Sequence, residues 1–240
     1  MYLLQFTLYI SKSNTILMTL LITCYSAAQA HETLVHKIMN PRYSREILTE
    51  NGEITREITD VRVKITSPLD AERFSSKCFM KSKGFVEYAN NLVHGYRDGV
   101  IFEYDYNERL RKWGKDKISL FDKEVKIDQI DYIIHKLQQE QNSRRALAVT
   151  WIPPYDEDHD DVPCLQYIQF LIRDGKLDMF VLFRSEDILS AFGQNVYGLT
   201  TLQKYVADAL GIPVRDYYHY IISAHIYYVR DSHELGKFEQ

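Results

Sequence analysis

The chain has 240 residues, 45% of them hydrophobic and 26% charged, enough to bury one substantial core; with 10 Gly and 6 Pro it is not a repeat, collagen-like or low-complexity protein. Its 29 Lys plus Arg against 33 Asp plus Glu give a net charge of −4 with no basic stripe, which argues against a nucleic-acid surface. Three scattered cysteines, Cys24, Cys78 and Cys164, make neither a disulfide framework nor a metal-ligand spacing and suit a reducing cytoplasm.

Residues 1–30 carry one charge, Lys12, and end in Ala28-Gln29-Ala30, which fits a leader-peptide cleavage site. The positive charge, however, follows an apolar decapeptide, and the uncharged run is shorter than the ~20 residues a membrane span needs. A buried strand over 16–25 and a helix over 26–39, with Ala30, Leu34, Val35 and Ile38 on one face, account for the stretch better. Met18 is an alternative start, and residues 1–17 are then an upstream extension of a single domain spanning 1–240.

After a turn at Asn51-Gly52, residues 53–66 alternate Val61, Val63 and Ile65 with charged side chains, as a half-exposed strand does. Residues 68–95 read as helical, with Phe74, Phe79, Phe85, Tyr88, Ala89 and Leu92 inward. A second amphipathic helix over 126–141 places Ile127, Ile130, Ile133, Ile134 and Leu137 at spacings of three and four. An apolar strand over 146–152 leads to Pro153-Pro154 and an acidic loop, 156–161. Strands over 164–173 and 177–184 flank Asp174-Gly175, a strong hairpin signal. A helix over 191–210 stops at Gly211 and Pro213, and a last strand covers 217–228. Helices and hairpins without βαβ periodicity indicate an α+β fold.

Taken singly, the polar residues of the second half are unremarkable: Cys164 reads as a small core residue, Arg144-Arg145 as a helix-end cap and Arg184-Ser185 as a surface turn. Together, Arg144-Arg145, Pro163-Cys164, Gln169, Arg184-Ser185-Glu186-Asp187, Asn195 and His225-Ile226-Tyr227 resemble the thymidylate synthase family. The intervals from Cys164 to Arg184, to Asn195 and to His225 match that family without insertion. The run from Tyr106 to Trp113 is similar to its Tyr-Gly-Lys-Gln-Trp-Arg-x-Trp. The resemblance covers residues 104–228.

This resemblance implies a large mixed sheet, covered by helices on one face and packed in a homodimer on the other. It implies reductive methylation of dUMP to dTMP, with methylene-tetrahydrofolate or methylene-tetrahydromethanopterin as co-substrate and no metal. The C5 of uracil is a weak nucleophile, so the Cys164 thiolate would add to C6 and create an enolate whose C5 can attack a one-carbon donor. Arg184 would favour that thiolate and hold the phosphate with Ser185, Gln169 would bind substrate, and Arg144 and Arg145 would reach in from the other subunit. Asn195 would read the uracil O4 and N3–H, His225 and Tyr227 would bind the sugar hydroxyl, and Asp187 would face the pterin. Tyr106 would serve removal of the C5 proton and Glu87 proton handling at O4, with Arg56 as a candidate N-terminal phosphate ligand.

The chain departs from the family in several places. Leu165 replaces the usual histidine after the nucleophile, and Ala191 the helix-start glycine. The spacing from Glu87 to Gly95 is one residue off, and the stretch from Glu87 to Tyr106 is too short for a tryptophan-bearing insert. Only residues 226–240 follow His225, in place of a strand and tail that close over folate, as in compact archaeal members. Two other readings fit these departures. A pyrimidine-nucleotide hydroxymethylase would also use Cys164, although one acting on cytidylate would carry Asp at position 195. A non-catalytic nucleotide-binding homologue fits Leu165 and the lost tail, but not the joint presence of Cys164, Arg184 and Tyr106.

Overall fold

The computed structural model describes residues 5–10, 16–95, 105–120 and 123–238. The expected extension over 1–17 and the stretch between Glu87 and Tyr106 lie partly outside these residues. At the start, β1 (Gln5–Ile10) pairs antiparallel with β2 (Ile16–Cys24). Helix α1 (Ala27–Met39) begins at Ser26, whose hydroxyl accepts from the Gln29 N–H, and the four apolar residues expected on one face are all buried. Short β3 (Arg45–Leu48) pairs with β4 (Ile54–Ile65) across a turn in which Gly52 takes φ +78°, open to glycine without strain.

Helix α2 covers only Ser82–His94, so the expectation of helix from 68 onward is corrected. Residues 68–81 run as turns and bends pinned by side chains: the Arg73 guanidinium donates to the Tyr197 carbonyl and to the Thr200 and Thr201 hydroxyls at 2.7–2.9 Å. Phe74 stacks on Phe85 at 4.2 Å, whereas Phe79, expected inward, is exposed. A packed, many-partnered anchor has replaced local helical hydrogen bonds there.

The chain continues through α3 (Tyr106–Arg111), a small hairpin of β5 (Ser119–Leu120) and β6 (Lys123–Glu124), and α4 (Gln129–Gln139). Asp128 caps α4, accepting from the N–H groups of Ile130 and Asp131, so the helix starts later than its apolar periodicity suggested and Ile127 is exposed. Next come β7 (Leu147–Val149), α5 (Pro153–Asp156), β8 (Leu165–Arg173), β9 (Lys176–Asp187), α6 (Phe192–Leu210), β10 (Val214–Ile226) and α7 (Ser232–Leu235). Asp174 and Gly175 both adopt positive φ in the β8–β9 hairpin, and Gly211, at φ +67°, closes α6.

Eight strands form one mixed sheet in the order β1-β2-β4-β10-β9-β8-β7, with β3 also on β4. The β2–β4 and β9–β10 pairs are parallel, and the others are antiparallel. Central β10 alternates Tyr217, His219 and Ile221, buried towards the helices, with Tyr218, Tyr220 and Ile222, which are not. Helices α1 and α6 pack on the first face, and α2 and α4 on α6. On the other face Tyr167, Phe180, Leu182, Tyr218 and Tyr220 line a depression of about 670 Å³, with Phe180 stacked on Tyr218 at 4.4 Å.

One buried ion pair fixes α3 against α5. Arg109 donates through both terminal nitrogens to Asp156, at 2.9 and 2.7 Å, and Asp156 also accepts from the Ile152 N–H; the two side chains are 2% and 0% exposed. Asp156→Ala leaves a guanidinium buried without its carboxylate and is expected to cost about 3–5 kcal/mol in urea unfolding, whereas Arg109→Met with Asp156→Leu costs far less. Equal losses in the single and double variants would show that the pair does not carry this part of the fold.

Candidate active site

At the C-terminal ends of parallel β9 and β10, beside the start of β8, the chain forms a cleft of about 1060 Å³. Nine of the residues singled out in the sequence line it: Glu87, Tyr106, Cys164, Arg184, Ser185, Asp187, Asn195, His225 and Tyr227. Arg144, Arg145 and Gln169 do not. The two arginines are exposed at the start of β7, and Gln169 donates to the Arg144 carbonyl at 2.8 Å. Arg56 is also outside the lining, paired with Glu46 at 3.3 Å and placed over the Tyr228 ring.

Cys164 sits just before β8, where the register between β8 and β9 shifts at Leu165/Tyr167, an irregularity of the kind that re-aims a side chain. Its Sγ is 3.6 Å from the Ser185 hydroxyl. The Arg184 side chain holds the turn in front of it: Nε donates to the Pro163 carbonyl at 3.1 Å and Nη2 to the Val162 carbonyl at 2.9 Å, while Nη1 lies 3.4 Å from Ser185 Oγ. The Tyr106 oxygen accepts from the Leu165 N–H at 3.1 Å, which brings the phenol to the residue next to the thiol. Asp105, whose carboxyl is raised by burial, caps α3 one residue before Tyr106.

Across the cleft, Asn195 lies in the first turn of α6 with its amide bonded on both sides, to the Tyr88 hydroxyl at 2.6 Å and to Glu186 at 2.8 Å. Glu186 in turn meets His219 at 2.7 Å in the core. Glu87 reaches only the rim, where it is 64% exposed and 3.5 Å from Lys83 one helical turn earlier. Its neighbour Tyr88 is the α2 residue that points at Asn195.

Asp187 ends β9 and turns the chain into α6: Oδ1 accepts from the N–H groups of Leu189 and Ser190, and Oδ2 from Arg230 at 3.1 Å. Arg230 also stacks on Tyr227 at 4.0 Å, and burial with the charges of Asp187 and Glu53 raises the Tyr227 phenol. Beneath this turn His31 donates from Nε2 to the Ile188 carbonyl at 2.7 Å, and its Nδ1 faces the Cys78 sulfur at 3.3 Å. Burial holds His31 down at about 4 and pushes Cys78 up to about 11, so the imidazole is neutral and the thiol protonated at neutral pH. Phe238 packs on the same ring at 5.1 Å, which ties the end of the described chain to this histidine.

Tyr88, Glu186, His219 and Arg230 were not singled out in the sequence. Glu186 stood inside the Arg184–Asp187 string, and a carboxylate among residues that close a buried strand is a usable signal. His219 and Tyr88 sat at core-facing positions, where an aromatic residue reads as packing. Among the described residues no cluster of His, Cys, Asp and Glu could hold a metal ion, and no helix is long and apolar enough to cross a membrane.

The thymidylate synthase family model matches residues 87–234. A protein of Methanocaldococcus jannaschii named as a candidate thymidylate synthase is 40% identical over 218 residues, covering 89% of this chain and 93% of its own length. A similarly named protein of Methanosarcina barkeri is 41% identical over 185 residues, 77% of this chain and 80% of its own. A deoxyuridylate hydroxymethyltransferase of Bacillus phage SP01 is 29% identical over 203 residues, 76% of this chain and 53% of its own. The chain belongs to the thymidylate synthase family.

The neutral His31 makes stability depend on pH. Its folded value, about 4, lies below the ordinary 6.5, so the unfolded chain takes up a proton first and stability falls as pH drops from 6.5 towards 4, by about 3 kcal/mol in all. Urea midpoints at pH 7 and 4.5 should show that fall, with a shallower one in His31→Gln. An identical pH slope in the variant would exclude His31 as its source.

Proposed function

We propose that the protein is a thymidylate synthase that methylates dUMP, with a methylene-tetrahydropterin as co-substrate. The observation that carries this is the convergence of Cys164, Ser185, Arg184, Tyr106, Asn195, His225 and Tyr227 on one cleft, from five separate parts of the chain. Cys164 forms the S–C6 bond and leaves electron density at C5. Asn195 takes the O4 and N3–H edge, and its hydrogen bond to O4 stabilises the enolate oxygen. Tyr106 serves removal of the C5 proton, and His225 and Tyr227 orient the sugar. When bound, the pterin supplies a one-carbon unit and a hydride. The cleft, at the upper end of the ~300–1,000 Å³ common for small-molecule sites, leaves room for it beside a mononucleotide. Both carboxylate oxygens of Asp187 already accept hydrogen bonds, so its part is to hold the wall that the pterin would touch.

The charge of the cleft supports an obligate dimer. Arg184 is the one Lys or Arg among its described lining residues, against Glu50, Glu57, Glu87, Asp105, Asp160, Asp161, Glu186 and Asp187. A dianionic phosphate needs more positive charge than that. Arg144 and Arg145 are exposed and in no ion pair among the described residues, as donors meant for a neighbour's site would be. The aromatic depression on the side of the sheet opposite α1 and α6 gives the apolar surface on which two copies would join.

A second reading, transfer that stops at the hydroxymethyl nucleotide, is favoured by the likeness to the phage deoxyuridylate hydroxymethyltransferase. Product mass separates the two.

A fluorine at C5 cannot leave as a proton. Protein mixed with 5-fluoro-dUMP and a methylene-tetrahydropterin should therefore stall as a covalent ternary adduct visible by mass spectrometry, and Cys164→Ser should bind dUMP yet form no adduct and lose nearly all turnover. Turnover surviving in Cys164→Ser would defeat the assignment of the nucleophile.

Arg145→Ala and Cys164→Ser chains, each inactive alone, should regain activity when mixed, through the one intact site of the heterodimer. An active monomer by light scattering at micromolar concentration, or no complementation from well-folded chains, would refute the shared site.

A further inference from the structure

The Asn195 amide is held by two side chains at the cleft wall, Glu186 and Tyr88, and Glu186 is backed by His219 in the core. Nδ2 donates to Glu186 Oε1 at 2.8 Å, and Oδ1 accepts from the Tyr88 hydroxyl at 2.6 Å. Glu186 Oε2 is 2.7 Å from His219 Nε2, and His219 Nδ1 is 2.9 Å from the Tyr217 hydroxyl. The His219 and Glu186 side chains are 0% and 1% exposed, and His219 is stacked on Phe183 at 4.6 Å, so neither can turn to another partner or to water.

Two of these contacts fix what Glu186 does: Oε1 accepts from Asn195 Nδ2, and Oε2 faces His219 Nε2. Tyr217 is fully buried and raised well above its ordinary value, chiefly by that burial, so it keeps its proton and can donate to His219 Nδ1, 2.9 Å away. With Tyr217 donating to Nδ1, Nε2 carries the imidazole hydrogen and donates to Oε2, and both oxygens of Glu186 are acceptors. A reversed Asn195 amide would press Oδ1 against a carboxylate oxygen with no proton between them, which costs far more than a lost hydrogen bond. In the observed orientation the amide keeps one N–H and one oxygen lone pair in hand.

Gly198 of α6 makes room for the other half of the clamp. A Cβ there would come within 2.8 Å of Tyr88 Cε1 and 3.0 Å of Cδ1, so only glycine lets the ring lie close enough to reach Asn195.

We infer that Glu186, braced by His219, is a positioning residue that locks the Asn195 amide and thereby selects a 4-oxo, 3-NH pyrimidine edge over a 4-amino one. The inference rests on the nucleotide reading given above. It assigns base choice to a buried acid–imidazole pair behind the residue that touches the base. A 4-amino pyrimidine could bind only if the amide reversed, and the carboxylate forbids that.

Glu186→Gln tests the lock, because a glutamine can offer Asn195 either a carbonyl or an amide and so permits both orientations. Dissociation constants for dUMP and dCMP by calorimetry, with kcat/KM for each, should show the dUMP preference falling by about tenfold or more, mainly through tighter dCMP binding. Tyr88→Phe removes a hydrogen bond but leaves the lock, so it should weaken both nucleotides alike. An unchanged preference in a folded Glu186→Gln overturns the inference, as does a wild type that binds dCMP as tightly as dUMP. If Glu186→Gln does not fold, His219→Gln leaves the carboxylate in place but unbraced and must lower the same ratio; no change there also overturns it. A wild type that binds neither nucleotide and forms no fluorinated adduct defeats the functional reading instead.

Discussion

Strand β9 leaves an apolar core through four polar residues in a row, exposed Arg184, half-buried Ser185, fully buried Glu186 and half-buried Asp187, and each is partnered within the protein. Arg184 takes the carbonyls before Cys164, Ser185 faces the sulfur, Glu186 takes Asn195 and His219, and Asp187 takes the amides that open the turn into α6. The cost of leaving such groups unsatisfied, about 1–3 kcal/mol apiece and more for charges, makes the end of this strand the fixed point around which the cleft is assembled. The thiol, the amide and the turn beneath them are held by one stretch of backbone, so their relative positions are set together.

Two buried charged centres serve different ends. The Arg109–Asp156 pair joins two short helices that could not hold their places alone, and its bidentate geometry is completed by the Ile152 N–H and the Thr150 carbonyl, away from the cleft. The Glu186–His219 pair is open at one end, because Glu186 has an oxygen committed to a side chain that lines the cleft. Buried charged and polar pairs are a poor means of gaining stability over apolar packing, and their usefulness lies in the direction they impose on neighbours. Here the imposed direction is that of an amide whose two ends differ in hydrogen-bonding sense but hardly at all in shape.

The sheet divides the molecule in the same spirit. Odd-numbered residues of β10 from Tyr217 to Ile221 feed the core and the polar chain behind Asn195, and the even-numbered ones build the aromatic face opposite. A cleft dominated by carboxylates, two exposed arginines in no ion pair among the described residues and an apolar face on the far side of the sheet are the three features on which the proposed dimer rests.

The sequence by itself determined what depends on neighbours along the chain. The periodicity of α1, α4 and α6, the alternation of β4, the Asp174-Gly175 turn and the stop at Gly211 all follow from residues within a turn or two of one another. The spaced string of Arg, Cys, Asn and His was enough to gather a cleft, because strands and helices of fixed length carry fixed residues to fixed ends. Tertiary structure alone decided which polar atom meets which. Residues 68–81 gave up a helix because Arg73 found partners more than a hundred residues away on α6, and the inward-facing Tyr88 reached Asn195 because Gly198 leaves a space for its ring. Likewise His219 and Tyr88 look like packing until Glu186 and Asn195 are placed beside them. Local pattern reports whether a side chain faces core or water, whereas the pairing of buried donors with acceptors is settled only when distant segments close on one another.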